Sequence, residues 1–465
     1  MISLWIASIC WIAASVSPAD EVAVGFGKAE ITPDLARHDA WIAGYDNDRK
    51  ATDIHDPLWS RAFVFRQGER KIAMVSVDLV GYQRPAVEQI RAKLPDYQHV
   101  LVSSTHNHEA PDVIGLWGPD EGTTGVDPAY LAFTIQRVIE SVKEAEGNAV
   151  PAKAWYGTAE LSEIVRDSRL PIVKDPVLRV LRFATALDSK PIGLLVQWNC
   201  HPETLGPKNT RITADFPWAA IRSLERSQRA PVAYFSGAVG GLMTNRRELR
   251  LIDGSVVKEG TFAFAEAFGQ AVARAAEQAL VRPDPVNLGP IEAFTRPILV
   301  PLENPGFRKA RAAGLLPRPA FAWKGDPYGP MEPLEERQMD GEVALQTEVS
   351  YLRLGQVHIA AIPGELYPEL VYGQYQDPPD PNADFPDAPV EPAAMDTLPG
   401  PAKFLFGLSS DEIGYIVPRR QWDNVAPFAY GRKEKQYGEV NSVGPEVAPI
   451  LMRALQDRVR DASAR

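Results

Sequence analysis

The sequence predicts an α/β fold of the mixed α+β kind: layered mixed β-sheets flanked by helices, with a site at strand ends. Two patterns predict it. Short apolar runs rich in Val, Ile, Leu and Phe alternate with longer stretches of helical spacing. The apolar runs repeatedly end in loops that carry His, Asn, Gly or Glu. In layered α/β folds, binding groups gather at such ends.

Val22 to Pro33 reads as an opening strand, broken by Pro33. Residues 60–67 and 71–79 read as a hairpin joined through Gly68-Glu69-Arg70. Pro85 to Leu94 has helical spacing and leads into the apolar run His99-Val100-Leu101-Val102. Tyr130 to Ala145 is an amphipathic helix, with Ile135, Val138, Ile139 and Val142 on its apolar face. Pro176 to Ala184 and Pro191 to Trp198 form a second hairpin, which ends at Asn199-Cys200-His201. Val232 to Phe235 is a buried-type strand that runs into a Gly-rich turn. Thr261 to Leu280 is an Ala-rich helix, and Val357 to Ile362 a strand ending at Pro363-Gly364-Glu365. Gln376 to Pro401, rich in Pro and Asp, reads as an irregular surface segment or lid.

Composition bounds the function. With 465 residues, 45% hydrophobic and 23% charged, the chain can bury a large core. A net charge of −11 argues against nucleic acid as a partner, because a phosphate backbone demands a basic surface. Met1 to Asp20 is apolar, uncharged until its end, and finishes in small residues. It is short for a stable membrane span and fits a cleaved signal peptide, cut near Ser17 or Ala19. The expected organisation is a signal peptide over residues 1–19 and one domain over 20–465, secreted or periplasmic. Without that segment Cys200 is the remaining cysteine, so no internal disulfide forms and a buried thiol is expected. The sequence sets no oligomeric state.

The segment Ser104-Thr105-His106-Asn107-His108-Glu109 stands out because the chain has seven histidines. If the backbone stays extended beyond the 99–102 strand, His106 and His108 project to one side. Such a pair suits a catalytic zinc, or a structural pair bonded to carbonyls. A β-lactamase-like H-x-H-x-D-H pattern is absent, since Ala110 and Pro111 follow Glu109. A barrel hydrolase wants further strand-end histidines than His201 and His358 supply.

Several segments in order resemble the neutral, non-lysosomal ceramidase superfamily: Gly25 to Pro33, Gly44-Tyr45, Ile54-His55, Val75 to Leu79, Ser104 to His108, Pro363-Gly364-Glu365, and Gly407-Leu408 through Gly414-Tyr415-Ile416. The resemblance runs over most of residues 22–445. It implies a zinc site with His106, His201, Glu365 and Tyr415 as ligands. It also implies His108 for proton transfer or substrate orientation, Arg166 to steady an oxyanion, and Tyr437 as a second tyrosine near the metal. The family's immunoglobulin-like C-terminal domain finds no room in this sequence. The implied activity is hydrolysis of an amide or related carbonyl bond in a small-molecule or lipid-like substrate. Zinc lowers the pKa of water from about 15.7 toward about 7 for that purpose.

The chain departs from the family at one place. Where the family carries an active-site serine, this sequence has Met243, in Gly240-Gly241-Leu242-Met243-Thr244-Asn245. A thioether neither attacks an amide nor donates a hydrogen bond. A zinc-water mechanism survives the change; a hydroxyl-dependent one would need Thr244, one residue on, with the loop shifted. The alternative is a non-catalytic metal- or ligand-binding protein on the same fold.

Overall fold

The computed structural model describes residues 21–244, 248–251 and 253–464. The expected signal peptide therefore lies outside the described residues, as does Asn245.

Two mixed sheets pack face to face, with helices on both outer surfaces. The larger sheet runs, from edge to edge, Val232–Ser236, Pro191–Trp198, Val177–Thr185, Val150–Glu160, Ala23–Glu30, Trp59–Gln67, Arg70–Val77 and His99–Ser104. Its central pairs are antiparallel, and the pair at each edge is parallel. The smaller sheet runs Ile291–Pro301, Val343–Leu354, Val357–Ala361 and Ala402–Phe406, the last two parallel. This is the predicted mixed α/β layering. The predicted hairpins match in place: Trp59–Gln67 pairs with Arg70–Val77, and Val177–Thr185 with Pro191–Trp198.

Alternation puts one apolar face of each sheet inward. Phe26, Phe63, Phe65, Phe183 and Phe235 of the first meet Leu352, Ile359, Phe404 and Phe406 of the second. Phe235 and Phe406 stack at 4.4 Å between centroids. Burial of each such ring contributes about 1.5–3 kcal/mol. On the outer faces, the Pro128–Gly147 helix covers one half of the larger sheet and the Asp215–Gln228 and Phe262–Ala279 pair the other. The Val447–Ser463 helix covers the smaller sheet.

Helix ends follow their caps. The Asp127 carboxylate accepts from the Ala129 and Tyr130 amides at 2.8 and 3.2 Å, and Pro128 occupies the first turn. Thr261 accepts from the Phe264 amide at 3.2 Å. Each cap contributes about 1 kcal/mol. No helix among the described residues is long and apolar enough to cross a membrane.

Residues 376–401 form turns and one short helix, Ala394–Thr397. They are tied down by their acids: Asp384 accepts from the Asn424 and Val425 amides, and Glu391 from the Arg419 amide. None of these residues lines the cavity described below, so the lid expectation fails for the described arrangement.

Candidate metal centre

Four strand ends converge. His106 follows His99–Ser104, His201 follows Pro191–Trp198, Glu365 follows Val357–Ala361, and Tyr415 follows Ala402–Phe406. Glu365 and Tyr415 are register partners in a two-residue parallel bridge, so their side chains project alike.

The extended-strand premise for His106 and His108 fails. The strand stops at Ser104, and His106 turns into the left-handed region at φ 66°. Such a conformation costs a non-glycine residue roughly 1 kcal/mol or more. His106 Nδ1 donates to the Val80 carbonyl at 2.8 Å, which holds the ring in place. The two rings still meet: His108 Nε2 lies 3.2 Å from His106 Nε2. The Asn107 side chain pins the turn between them, donating to the Thr213 carbonyl at 2.8 Å and accepting from the Glu109 amide at 3.1 Å.

His201 arrives by another route. Asn199 bridges its approach, donating to the Asp175 carbonyl and accepting from the Ala238 amide. His201 Nδ1 donates to the Leu242 carbonyl at 3.1 Å. Its Nε2 lies 2.9 Å from Glu365 Oε2 and 3.3 Å from the Tyr415 hydroxyl. His106 Nε2 lies 3.3 Å from the same Glu365 oxygen. Ligating nitrogens of His106, His108 and His201 all lie within 4.8 Å of one another.

This donor set fits a metal. Backbone carbonyls claim the Nδ1 protons of His106 and His201, which turns both Nε2 atoms toward Glu365. Such outer hydrogen bonds are how metal-ligating imidazoles are oriented. One oxygen of Glu365 lies within 3.3 Å of both Nε2 atoms. A central cation satisfies the two Nε2 lone pairs and the carboxylate together. The electrostatics agree. Burial pushes the Glu365 carboxyl upward, but His106 and His201 outweigh it and hold it well below the usual range. Burial lowers His201, yet its bond to Glu365 leaves it raised. Burial, then the His106 and His201 rings, hold His108 well below the ordinary histidine value. His108 belongs to the same histidine cluster through its contact with His106, while His106 and His201 are the two that reach Glu365.

The remaining expected residues divide. Tyr437 packs edge-on against Tyr415 at 5.5 Å and is 54% exposed. Burial of its hydroxyl and the Glu365 charge push it up to about 12. Arg166 stays apart: it is exposed, is not among the cavity-lining residues, and sits opposite Met243 in a short antiparallel pair. Met243 is buried, and the adjacent Leu242 carbonyl is the one that holds His201. Cys200 is a buried free thiol outside the histidine group. Glu109, next to His108, pairs with Arg49 at 2.8 Å and does not line the cavity described below.

A cavity of about 430 Å³ opens beside His106, His108, Glu365 and Tyr415. Its wall is mostly apolar, with Val80, Ile114, Trp117, Phe307, Leu316 and Val443 among its residues. Sequence reasoning missed the Asn304–Leu316 stretch that supplies much of this wall. Gly44-Tyr45, part of the family resemblance, also line the cavity. Tyr45 packs edge-on against His108 at 5.0 Å. Gly44, at φ 103°, lies so close that a Cβ would sit 2.4 Å from His108 Cγ. The signal was that Gly-Tyr pair itself, since a glycine there leaves room for a neighbour.

Fold and site together define a layered α/β protein with a buried His-Glu-Tyr cluster, compatible with a metal ion, at the edge of an apolar cavity. A family model described as neutral/alkaline non-lysosomal ceramidase, N-terminal, matches residues 22–272, over half of the chain. The chain belongs to that family. It is 30% identical over 153 residues to a neutral ceramidase of Mycobacterium tuberculosis, covering 30% of this chain and 24% of that protein. It is 25% identical over 214 residues to the neutral ceramidase of Pseudomonas aeruginosa, covering 41% and 32%. The matched stretches thus span no more than about a third of either relative. The crystal structure of the Pseudomonas aeruginosa neutral ceramidase superposes with a TM-score of 0.70 at 18% identity, over 96% of this chain and 75% of that one. A ceramidase complexed with C2 gives 0.69 at the same identity, over 96% and 76%. At this identity the likeness speaks for the fold.

Proposed function

We propose that this chain is a zinc-dependent hydrolase that cleaves an amide, or a related carbonyl bond, in a lipid-like small molecule. The carrying observation is the convergence of His106 and His201 Nε2 on Glu365 at the wall of an apolar cavity. His106, His201, Glu365 and Tyr415 would hold the metal. Zinc, when bound, supplies Lewis acidity, acidifying water and polarising a carbonyl.

The chain's own residues do the rest. The apolar wall binds an acyl chain and excludes water from the reacting carbonyl. His108, kept neutral by burial and by its neighbours, offers an acceptor for a proton beside the centre. Tyr437, held protonated, offers an O–H donor to a developing oxyanion. Arg166, exposed and off the cavity wall, is left outside the proposed reaction. Secretion is part of the same reading and rests on residues 1–20. A single domain over residues 20–465 belongs to the same reading.

Met243 favours a second reading, a binding protein that keeps the metal and lacks turnover. Two measurements separate them. Metal analysis of purified protein should give near one zinc per chain, lost in His201→Ala. A panel of N-acyl amides and esters should show turnover that His106→Ala abolishes. Stoichiometric zinc without turnover selects the binding protein; no zinc, even after zinc is added, removes both.

A further inference from the structure

Arg311 is out of place in the cavity wall. It is the one buried residue of the Pro305–Ala313 helix, only 5% exposed, beside Phe307, Ala310 and Leu316. Buried arginines elsewhere in the fold hold carboxylates: Arg61 holds Asp78 at 2.8 Å, Arg169 holds Glu439 at 2.7 Å, and Arg318 holds Asp411 at 2.7 Å. Arg311 has no ion pair among the described residues. Its Nε donates to the Arg318 carbonyl at 3.1 Å and its Nη1 to the Gln338 carbonyl at 3.0 Å. A guanidinium has five N–H donors, so about three remain. Glu336, whose charge reaches it, is 89% exposed and lies beyond ion-pair distance. None of its nitrogens is both buried and without a partner among the described residues, so the remaining N–H groups are open to a ligand anion.

The rest of the wall does not cancel this charge. Asp411 is already taken by Arg318, bidentately. Glu412, also in the wall, makes no ion pair with Arg311 among the described residues. Its Oε1 accepts from the Gly414 amide at 2.8 Å.

We propose that Arg311 is a specificity residue, pairing with an oxyanion carried by the substrate, so that the cavity takes an acyl amide bearing a carboxylate or similar group rather than a neutral lipid. The guanidinium fork matches a carboxylate in two parallel hydrogen bonds, which a neutral hydroxyl cannot equal. This assignment rests on the hydrolase reading only for the word substrate; anion binding stands independently.

Two arms test it. In the binding arm, calorimetry compares decyl sulfate with decanol, a pair that shares a chain, contains no amide and ligates zinc weakly. The anion should bind at least about tenfold more tightly. Arg311→Gln should erase that preference, and Arg311→Lys, which keeps the charge, should retain part of it. In the turnover arm, N-decanoylglycine and N-decanoylethanolamine differ by carboxylate against hydroxyl. The kcat/KM ratio should favour the carboxylate, and fall at least about tenfold in Arg311→Gln. Anion preference without turnover of either amide keeps the Arg311 assignment and removes the hydrolase. Equal binding of both ligands by the wild type, or a preference unchanged in Arg311→Gln, overturns the assignment and leaves the hydrolase standing.

Discussion

Gly44→Ala is the sharpest perturbation of the candidate centre, because it touches no proposed ligand. Gly44 sits at φ 103°, where an L side chain is strained. Its added Cβ would stand 2.4 Å from His108 Cγ and 2.7 Å from Nδ1. Ordinary contact begins near 3.4 Å, so the ring must retreat by about 1 Å. Arg49 opposes that retreat by binding the His108 carbonyl at 3.3 Å through Nη1. A shift of this size in a group supporting a metal site typically costs about 10–100-fold in affinity. Gly325→Ala is the control. Its φ of 81° brings the same kind of backbone strain, yet nothing lies within 4 Å of the added carbon. Both variants should lose about 1–2 kcal/mol of stability to the backbone alone. Zinc affinity, measured by chelator competition, should fall in Gly44→Ala and hold in Gly325→Ala. Wild-type zinc affinity in a folded Gly44→Ala protein would show that His108 does not border the metal, and the argument from convergence would lose that ring.

Other outcomes follow from the same geometry. His201→Ala removes the imidazole nearest Glu365 and should lower zinc occupancy to background, read by elemental analysis after dialysis. Met243→Ser should leave kcat within about tenfold of the wild type, because the proposed chemistry needs no hydroxyl there; a larger rise would restore a serine-dependent mechanism. Glu439→Ala leaves Arg169 charged, buried and unpaired. It should cost about 3–5 kcal/mol in urea unfolding and loosen the segment that carries Tyr437. Burial, and then Arg91, lower His99 from 6.5 to about 3. The unfolded chain binds this proton below pH 6.5 while the native protein does not, so stability is present above 6.5 and is lost as pH falls toward 3. The loss should approach about 2 kcal/mol by pH 5, and His99→Gln should flatten that part of the urea-stability profile.

The legible parts of the sequence were those set by local pattern. Trp59–Gln67 and Arg70–Val77 announced themselves by apolar runs around a short turn, and Pro128–Gly147 by its apolar face. The histidine pair was legible as chemistry but not as geometry. Nothing in Ser104-Thr105-His106 foretells the left-handed turn at His106, because a carbonyl from Val80 holds it. Arg166, given an oxyanion role by the family resemblance alone, stands at an exposed strand position opposite Met243.

By itself, then, the sequence determined the elements, the mixed α/β layering and the residue types from which a metal centre is built. Periodicity and capping act over a few residues, and a single chain carries them openly. Only the tertiary structure decided where those residues meet. His106 and His201 are 95 positions apart, and Glu365 lies 164 beyond His201, yet one oxygen of Glu365 stands 3.3 and 2.9 Å from their rings. That convergence depends on two sheets closing over a shared aromatic core and on carbonyls that orient each imidazole. Arg311, likewise, is buried with carbonyl partners and no carboxylate among the described residues, a fact about charge balance in space that no local pattern contains.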